Sequence, residues 1–295
     1  MRIWTHEQRV LILFLAPAVL ILAVTQFWPL VYSARLSLID WTLARSPRPG
    51  PFVGLANYAK ALHDPVFIDS VGVTAVYALT ATALEIVIGL ALALALVGER
   101  FAVKLSRTIL ILPMVIAPVA VGTMWRMMLS AQAGPINHLL GLLGIDGPDW
   151  LGDPDWALVS VILIDVWEWT PFVMVIYVAV LTALPEELSL AAKVDGASRW
   201  QVLRHVVLPL MMPVSVLVVM FRLIDAILTL DVIVTTTFGG PGYRTYTLSF
   251  WIYQQGLRYF NVSYAAATSW LLLGGCLTVA VGLLLWRRCV ARWQV

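Results

Sequence analysis

Apolar side chains gather into six long runs along the chain. The runs cover residues 10–31, 71–97, 108–129, 156–183, 206–238 and 262–286. About 20 consecutive apolar residues span a bilayer, because every backbone amide in hydrocarbon must bond within its own helix. The pattern therefore predicts an all-α polytopic membrane protein with six transmembrane helices, forming a single membrane domain over residues 1–295.

The first run, residues 10–31, lies near the start of the chain and contains no charged residue. It is longer than the apolar part of a secretory signal peptide and lacks a clear small-residue cleavage site. We therefore expect it to be retained as the first transmembrane helix.

The loops between the runs differ in their content of Lys and Arg, which are enriched on the cytoplasmic side of a membrane near helix ends. One set of loops and termini contains Arg2, Arg9, Arg100, Lys104, Arg107, Lys193, Arg199, Arg204, Arg287, Arg288 and Arg292. The opposite set contains Arg35, Arg45, Arg48, Lys60, Arg244 and Arg258. The loop of residues 130–155 contains four aspartates and neither Lys nor Arg. This distribution predicts that both termini are cytoplasmic.

The composition narrows the classes of function. Apolar side chains make up 61% of the 295 residues and charged ones 12%, and the mean hydropathy is +0.88. The net charge of +2 is too small and too scattered for a nucleic-acid-binding surface. Cys276 and Cys289 stand apart from any cluster of Cys or His, so neither a zinc site nor a disulfide framework is expected.

Motifs for nucleotide binding and catalysis are missing from the sequence. It contains no G-x-x-x-x-G-K-[ST] phosphate loop, no H-E-x-x-H zinc helix and no G-x-S-x-G nucleophile turn. The four histidines stand in separate loops or helix ends: His6, His63, His138 and His205. We expect no catalytic residue and no metal site in this chain. If ATP drives its activity, a partner must bind the nucleotide.

Residues 184–213, LPEELSLAAKVDGASRWQVLRHVVLPLMMP, interrupt the hydrophobic pattern between the fourth and fifth runs. The opening Pro-Glu-Glu suits the first turn of a helix, where the helix dipole favours anions. Asp195 and Gly196 can end that helix, and Asp195 or Ser198 can cap a second one. We expect a compact pair of short helices on the cytoplasmic face over residues 184–205. The alternative is a surface linker whose Leu and Trp side chains enter the membrane interface.

The same stretch resembles the EAA loop of the membrane subunits of bacterial binding-protein-dependent ABC importers. That motif reads Glu-Ala-Ala, three residues, Gly, nine residues, Ile, one residue, Leu-Pro. Its spacing is matched over twenty positions by Ala191, Ala192, Gly196, Val206, Leu208 and Pro209. Leu190 occupies the position of the family's glutamate, and Glu186 or Glu187 could supply the missing charge.

Three further segments resemble the carbohydrate-uptake, maltose-permease-like branch of that family. They are FVGLANYAKAL at residues 52–62, WEWTPF at 167–172 and FGGPGYRTYTLSFWIY at 238–253. The resemblance covers nearly the whole chain. It implies the type I permease fold of ABC importers and a location in the bacterial plasma (inner) membrane.

The resemblance also implies partners and a mechanism. The partners are a second permease subunit, a dimer of ATP-binding-cassette ATPases, an extracytoplasmic solute-binding protein and a sugar moved by ATP-driven alternating access. ATP and Mg would be held by the ATPase, so no cofactor is expected in this chain. The EAA segment would be the coupling helix that seats in a cleft of the ATPase. The coupling residues so implied are Glu186, Glu187, Leu190, Ala191, Ala192, Asp195, Gly196, Ala197 and Arg199.

Charged side chains within the apolar runs need partners or water, since a lone charge in hydrocarbon costs several kcal/mol. They are Glu85, Arg126, Asp165, Glu168, Arg222, Asp225 and Asp231. Arg222 and Asp225 are three residues apart and are expected to pair as an internal brace. Glu85 could pair with Arg126 or line a path.

The fourth run combines carboxylates with aromatic rings, as a path for sugars requires, because sugars present hydroxyls beside apolar ring faces. The candidate substrate-path residues in this run are Asp165, Trp167, Glu168 and Trp169. The alternative for the tryptophans is an aromatic belt at headgroup depth. Asp231 joins the candidates through the resemblance, which places an acidic or amide residue before the Gly-Gly-Pro-Gly turn.

Two other classes of function remain open from the residues. One is a stand-alone secondary transporter that couples ions through Asp165, Glu168 and Asp231, although the internal repeats usual in such folds are not found. The other is a membrane-embedded enzyme, which the missing catalytic motifs disfavour. A disaccharide, a polyol or a glycerol phosphate fits the sequence. An Arg126 or Arg222 that faces the cavity would favour a phosphate-bearing substrate.

Overall fold

The computed structural model describes the backbone of residues 6–98 and 100–291, and the side chains in these ranges except those of residues 6–12, 186, 189 and 288–291. The described part is made of helices, turns and loops, with one antiparallel β-bridge between Ile39 and Phe52. The all-α prediction is confirmed.

A few predictions fall outside the described residues. They concern Arg2 and Arg292, and the side chains of Arg9, Glu186, Arg288 and Cys289.

Within the described residues, five helical segments are long and apolar enough to cross a membrane, and a sixth crossing is present if a sharply bent pair counts as one. The five are Leu13–Ser37, Pro65–Ala95, Ala157–Ala183, Arg199–Thr235 and Val262–Arg287. The bent pair is Phe101–Val115 with Pro118–Met128. Each predicted apolar run therefore coincides with one helical segment or with the bent pair.

The chain divides into two compact units. The first contains the residues up to Asp64 together with Ile252–Leu273, and the second contains Pro65–Trp251 together with the residues from Gly274 onward. The single membrane domain over residues 1–295 stays a prediction.

The first unit begins with a long apolar helix. Helix α1 (His6–Leu22) passes through a π-helical turn (Ala23–Phe27) into α2 (Trp28–Ser37). The wide turn ends two residues before Pro29, whose missing N–H interrupts the backbone ladder. The side chains from residue 13 to residue 32 are exposed, as a helix that faces lipid requires.

Helix α2 continues to Ser37, past the predicted end at residue 31, because the following short helix holds its end. In α3 (Ala56–His63), the Asn57 side-chain amide donates to the carbonyl oxygens of Ser37 at 2.9 Å and Ile39 at 2.8 Å. The Tyr58 hydroxyl donates to Ser37 Oγ at 2.7 Å. These long-range bonds have no signature in the hydrophobic pattern.

In the second unit, α4 (Pro65–Ala95) is followed by α5 (Phe101–Val115) and α6 (Pro118–Met128). The axes of α5 and α6 meet at 97°, so the predicted run over residues 108–129 is not one straight helix. Ala117 is extended, with φ −62° and ψ 135°. The ring of the following Pro118 favours that conformation and breaks the helix.

Helix α7 (Pro135–Leu142) lies in the loop before α8 (Ala157–Ala183), which is the most buried of the candidate spans. Helix α8 packs along α4 and against α5. Gly89 permits the close approach to α4, since a Cβ atom there would lie 2.7 Å from Val173 Cγ1.

The interrupted stretch forms α9 (Glu186–Val194) and α10 (Arg199–Val202), as two short helices were predicted. Helix α10 is not separate from the next helix. It continues through a π-helical turn (Leu203–Val207) into α11 (Leu208–Ile227).

The predicted fifth run, residues 206–238, is broken near its C-terminal end. Helix α11 stops at Ile227, and α12 (Asp231–Thr235) begins after a short gap. Two more helices complete the described chain: α13 (Leu248–Tyr253), followed by a π-helical turn (Gln254–Arg258), and α14 (Val262–Ala291).

Candidate solute site and coupling segment

Arg222, in the middle of the second unit, makes ion pairs with carboxylates from three helices. Its Nε lies 2.6 Å from Glu85 Oε2 and its Nη2 lies 2.8 Å from Glu85 Oε1. Nη2 also lies 3.1 Å from Asp165 Oδ2, and Nη1 lies 2.5 Å from Asp225 Oδ2. The two-pronged geometry to Glu85 is the strong form of an Arg–carboxylate pair. We call Arg222, Glu85, Asp165 and Asp225 the ion network.

The ion network joins α4, α8 and α11 at a buried point. Arg222 is 2% exposed, Glu85 0% and Asp165 2%. Charges buried this deeply are tolerated only when they are paired and hydrogen-bonded. The network therefore specifies how the three helices pack against one another.

The structure decides the pairings that the sequence left open. The predicted pair of Arg222 with Asp225 is confirmed. The suggested pair of Glu85 with Arg126 is wrong: Glu85 binds Arg222, while Arg126 is exposed in the last turn of α6. A separation of 137 residues along the chain leaves no local sign of the Glu85–Arg222 pair.

Two tryptophans extend the network along α8. The guanidinium carbon of Arg222 lies 4.8 Å from the ring centre of Trp169, a cation–π geometry. Trp169 also meets Phe172 edge to face at 6.4 Å. Trp167 meets Trp125 of α6 edge to face at 5.4 Å. Trp169 is half-buried beside the ion network, a position unlike that of a side chain in an aromatic belt.

Glu168 is the buried carboxylate that lacks a hydrogen-bond partner. It is 1% exposed, and neither of its oxygens has such a partner among the described residues. The Thr170 hydroxyl on the same helix and the Trp125 indole N–H on α6 are likewise without one in the described part of the chain. Buried polar groups are almost always bonded, so such a group requires an explanation.

Asp231 begins α12, which packs against α6 and α8. Its side chain is exposed. Of the predicted substrate-path carboxylates, Asp165 belongs to the ion network. Glu168 and Asp231 do not belong to it. Sequence reasoning missed Trp125, whose place beside Trp167 follows from the bend between α5 and α6.

A cleft of about 1090 Å³ opens in the second unit beside the Gly-Gly-Pro-Gly turn. Its walls come from the start of α4, the residues before α8 and the turn itself. Asp69, Asp155 and Arg244 supply charges, and Tyr243 supplies an exposed ring.

The loop between α9 and α10 is fixed by local hydrogen bonds. Ser198 Oγ accepts from the Gln201 backbone N–H at 3.4 Å, and the Ser198 N–H donates to Gln201 Oε1 at 2.7 Å. Ser198 is therefore the cap, rather than Asp195. Gly196 has φ +83° and open space around the position of a Cβ atom, so its backbone conformation alone demands glycine.

The α9–α10 segment presents apolar side chains outward. Leu190 is 49% exposed, Val194 88% and Trp200 64%. Of the other predicted coupling residues, the exposed ones are Glu187, Ala191, Asp195, Gly196 and Arg199, and the half-buried ones are Ala192 and Ala197. An exposed apolar surface of this kind marks a site of contact with a membrane or a protein.

Comparison with known proteins shows which family the chain belongs to. Residues 85–289 match the family model of the binding-protein-dependent transport system inner membrane component. The chain belongs to this family. The permease is 37% identical over 274 residues to the probable ABC transporter permease protein y4oQ of Sinorhizobium fredii, covering 93% of this chain and 88% of that one.

Relatives with named solutes are also similar to the permease. The trehalose/maltose transport system permease protein MalF of Thermococcus litoralis is 36% identical over 200 residues, covering 68% of each chain. The trehalose transport system permease protein SugA of Mycobacterium tuberculosis is 33% identical over 273 residues, covering 92% of this chain and 86% of that one.

The fold is shared with the bacterial alginate ABC transporter, crystallised with an alginate pentasaccharide-bound periplasmic protein. The permease superposes on a chain of that transporter with a TM-score of 0.81 at 22% identity, covering 96% of both chains. The predicted type I permease fold of ABC importers is confirmed.

Family membership decides between the function classes. The permease is a multi-pass inner-membrane subunit of an ABC importer, a transport component and not an enzyme. It works in a system with a binding protein and an ATPase. The alternatives of a stand-alone ion-coupled transporter and of a membrane-embedded enzyme are set aside.

Proposed function

We propose that the permease carries a sugar across the inner membrane, after an extracytoplasmic binding protein has delivered it. It does so as a heterodimer with a second permease subunit, with both termini in the cytoplasm. The sugars in the names of the trehalose/maltose and trehalose permeases support this class of solute. The unpartnered Glu168 carboxylate beside Trp167 and Trp169 on one buried helix carries the proposal.

The chemistry of these three side chains suits a sugar. A sugar hydroxyl donates to a carboxylate oxygen, and both oxygens of Glu168 are free to accept among the described residues. The apolar face of a sugar ring packs on an indole ring, which Trp167 and Trp169 supply. Asp231 offers a second carboxylate from the start of α12.

Asp165 has a positioning role in this proposal. Its bond to Arg222 is 3.1 Å long and buried, and the same guanidinium lies over Trp169. Asp165 therefore fixes the position of Arg222, and Arg222 in turn orients the Trp169 ring. Asp165 and Glu168 lie on the same helix, α8.

The α9–α10 segment would be the contact with the ATPase, which binds ATP and Mg while this chain holds no cofactor. The apolar Leu190, Val194 and Trp200 side chains are available for a cleft of the ATPase. Leu190 occupies the position of the family's glutamate, so this contact is apolar here. Glu187 is exposed nearby and can add a charged contact.

A continuous helix connects that contact to the site. From Arg199 the chain runs through α10, a π-helical turn and α11 without a break to Ile227. At 1.5 Å per residue, Arg199 and Arg222 lie about 35 Å apart along the helix. A movement of the ATPase at α9 and α10 is thus transmitted to Arg222, and through its ion pairs to α4 and α8. This linkage would drive alternating access.

The binding protein would dock over the cleft beside the Gly-Gly-Pro-Gly turn. This cleft combines Asp69 and Asp155 with Arg244 and the Tyr243 ring. Loops of this kind, carried on a rigid frame, are common contact sites for partners.

The experiment that tests the proposal is purification of the tagged permease in mild detergent with its co-purifying subunits, followed by ATP hydrolysis and sugar-uptake assays in proteoliposomes. The proposal expects a second permease subunit, an ATPase, and uptake that requires ATP and the binding protein. Uptake of a sugar by the permease alone, abolished by an ionophore, would contradict it.

A further inference from the structure

We infer that the solute of the permease is a sugar without an acidic group, either uncharged or carrying an amine. The inference rests on the proposed sugar site at α8 and adds the charge class of the solute. Its basis is the unpartnered buried Glu168 carboxylate together with the burial of Arg222 among the carboxylates of its own chain.

Four of the five N–H groups of Arg222 are bonded to carboxylates of its own chain, and the residue is only 2% exposed. Nε is bonded to Glu85, Nη1 to Asp225, and Nη2 to both Glu85 and Asp165. One face of the guanidinium is covered by Trp169. An arginine binds a phosphate or a carboxylate through paired N–H donors. In Arg222 such a pair of donors is already bonded to Glu85.

The helices around Glu168 are rich in acidic side chains. Asp165, three residues before Glu168 on α8, belongs to the ion network, and α12, which begins with Asp231, packs against α8. Arg222 is already shared by Glu85, Asp165 and Asp225. No cation of the ion network other than Arg222 is therefore present to meet an acidic solute.

An acidic sugar would lose its hydration at this site without gaining a cation. Burying a charge without a counter-charge is costly, so a site of this kind rejects an acidic group. A hydroxyl meets the opposite situation, because it donates its proton to a waiting carboxylate oxygen. An ammonium group on a sugar gains an ion pair as well.

The unbonded donors near Glu168 fit the same solute. The Trp125 indole N–H and the Thr170 hydroxyl are buried and without a partner in the described part of the chain. A sugar hydroxyl can accept from an N–H and donate to a carboxylate at once. A polyhydroxylated ring therefore satisfies donors and acceptors of this site together.

The test uses the full complex in proteoliposomes, with its binding protein and an ATP supply inside. Three groups of radiolabelled probes are compared: uncharged disaccharides (trehalose, maltose and lactose), their uronic-acid and phosphate forms, and their amino-sugar forms. We expect ATP-driven uptake of an uncharged or amine-bearing probe at least tenfold faster than that of its acidic form.

The variant Glu168→Gln keeps the shape of the side chain and removes its charge. It is expected to lower uptake of the transported probe at least tenfold, with co-purification of the partner subunits showing that it folds. Asp146→Asn, which neutralises an exposed loop carboxylate, is the matched control and should transport as the wild type does.

The outcomes separate the inference from the function on which it depends. Preferred uptake of an acidic probe would overturn the inference and leave the sugar importer standing. Wild-type uptake by Glu168→Gln would overturn it too, since the carboxylate would then not meet the solute. Failure of every sugar probe, with the complex assembled and hydrolysing ATP, would overturn the proposed function itself.

Discussion

Glu85 and Arg222 are 137 residues apart in the sequence and are joined in the structure by two hydrogen bonds of 2.6 and 2.8 Å. The pair fixes α4 against α11, and the same guanidinium reaches Asp165 of α8 and the ring of Trp169. The candidate solute site is therefore supported by three buried charged side chains, Arg222, Glu85 and Asp165, while Asp225 is exposed.

Arg222 is the only cation of the ion network, so its removal should cost more than the removal of any one carboxylate. Arg222→Met leaves Glu85 and Asp165 buried without a counter-charge, which should lower stability by on the order of 3–5 kcal/mol. Glu85→Gln should cost less, because Arg222 keeps Asp165 and Asp225. Thermal unfolding of the purified proteins in detergent measures both. A smaller effect of Arg222→Met than of Glu85→Gln would contradict the described network.

Gly89 should be intolerant of a side chain because of its contact with Val173. Gly89→Val would force α4 and α8 apart, at a cost of about 1–3 kcal/mol for overpacking. Gly72→Val on the same helix is the matched control, since nothing lies within 4 Å of its Cβ position. Thermal unfolding should separate the two variants, and the second change Val173→Ala should rescue Gly89→Val. Equal melting temperatures for the two glycine variants would refute the close packing.

Gly196 should tolerate only residues that accept a left-handed backbone. With φ at +83°, Gly196→Val should cost about 1–3 kcal/mol locally, displace α9 from α10 and abolish co-purification of the ATPase. Gly196→Asn should retain most of the binding, because Asn adopts this conformation more readily. Gly141→Val, in open space with an ordinary φ, is the control. Normal ATPase binding and transport by Gly196→Val would disprove the coupling role.

Trp169 should contribute to transport through its ring. Trp169→Ala removes both the platform for a sugar and the cover over Arg222, so uptake should fall roughly tenfold, equivalent to about 1.4 kcal/mol. Trp169→Phe should retain more activity, because an aromatic face remains. Trp286→Ala, at an exposed tryptophan of α14, is the control. These effects are measured as uptake rates in proteoliposomes. An equal loss of uptake for Trp169→Ala and Trp286→Ala would contradict a specific role of Trp169.

Much of the architecture could be predicted from the sequence, because lipid imposes a strict rule on apolar length. Helix α8 begins and ends within one residue of its prediction, and the two short helices before α11 follow from the Asp195-Gly196 break. Pro118 is a sequence signal for the bend before α6. The signal was missed because the continuous apolar run over residues 108–129 predicts a single straight helix.

The details of the site could not be predicted in the same way. Arg126 was the partner predicted for Glu85, and tertiary packing pairs Glu85 with Arg222 instead. The break between α11 and α12 lies in Leu228, Thr229 and Leu230, which carry no helix-ending signal. The unpartnered state of Glu168 depends on which neighbours Arg222 takes, and this is a property of three helices together.

The most direct test of the sugar site is a structure of the complete complex with its transported sugar bound between the two permease subunits. The account predicts a sugar ring packed on Trp167 or Trp169, with a hydroxyl within about 3.2 Å of a Glu168 oxygen. A sugar held entirely by the second permease subunit, with Glu168 still unpartnered, would contradict it.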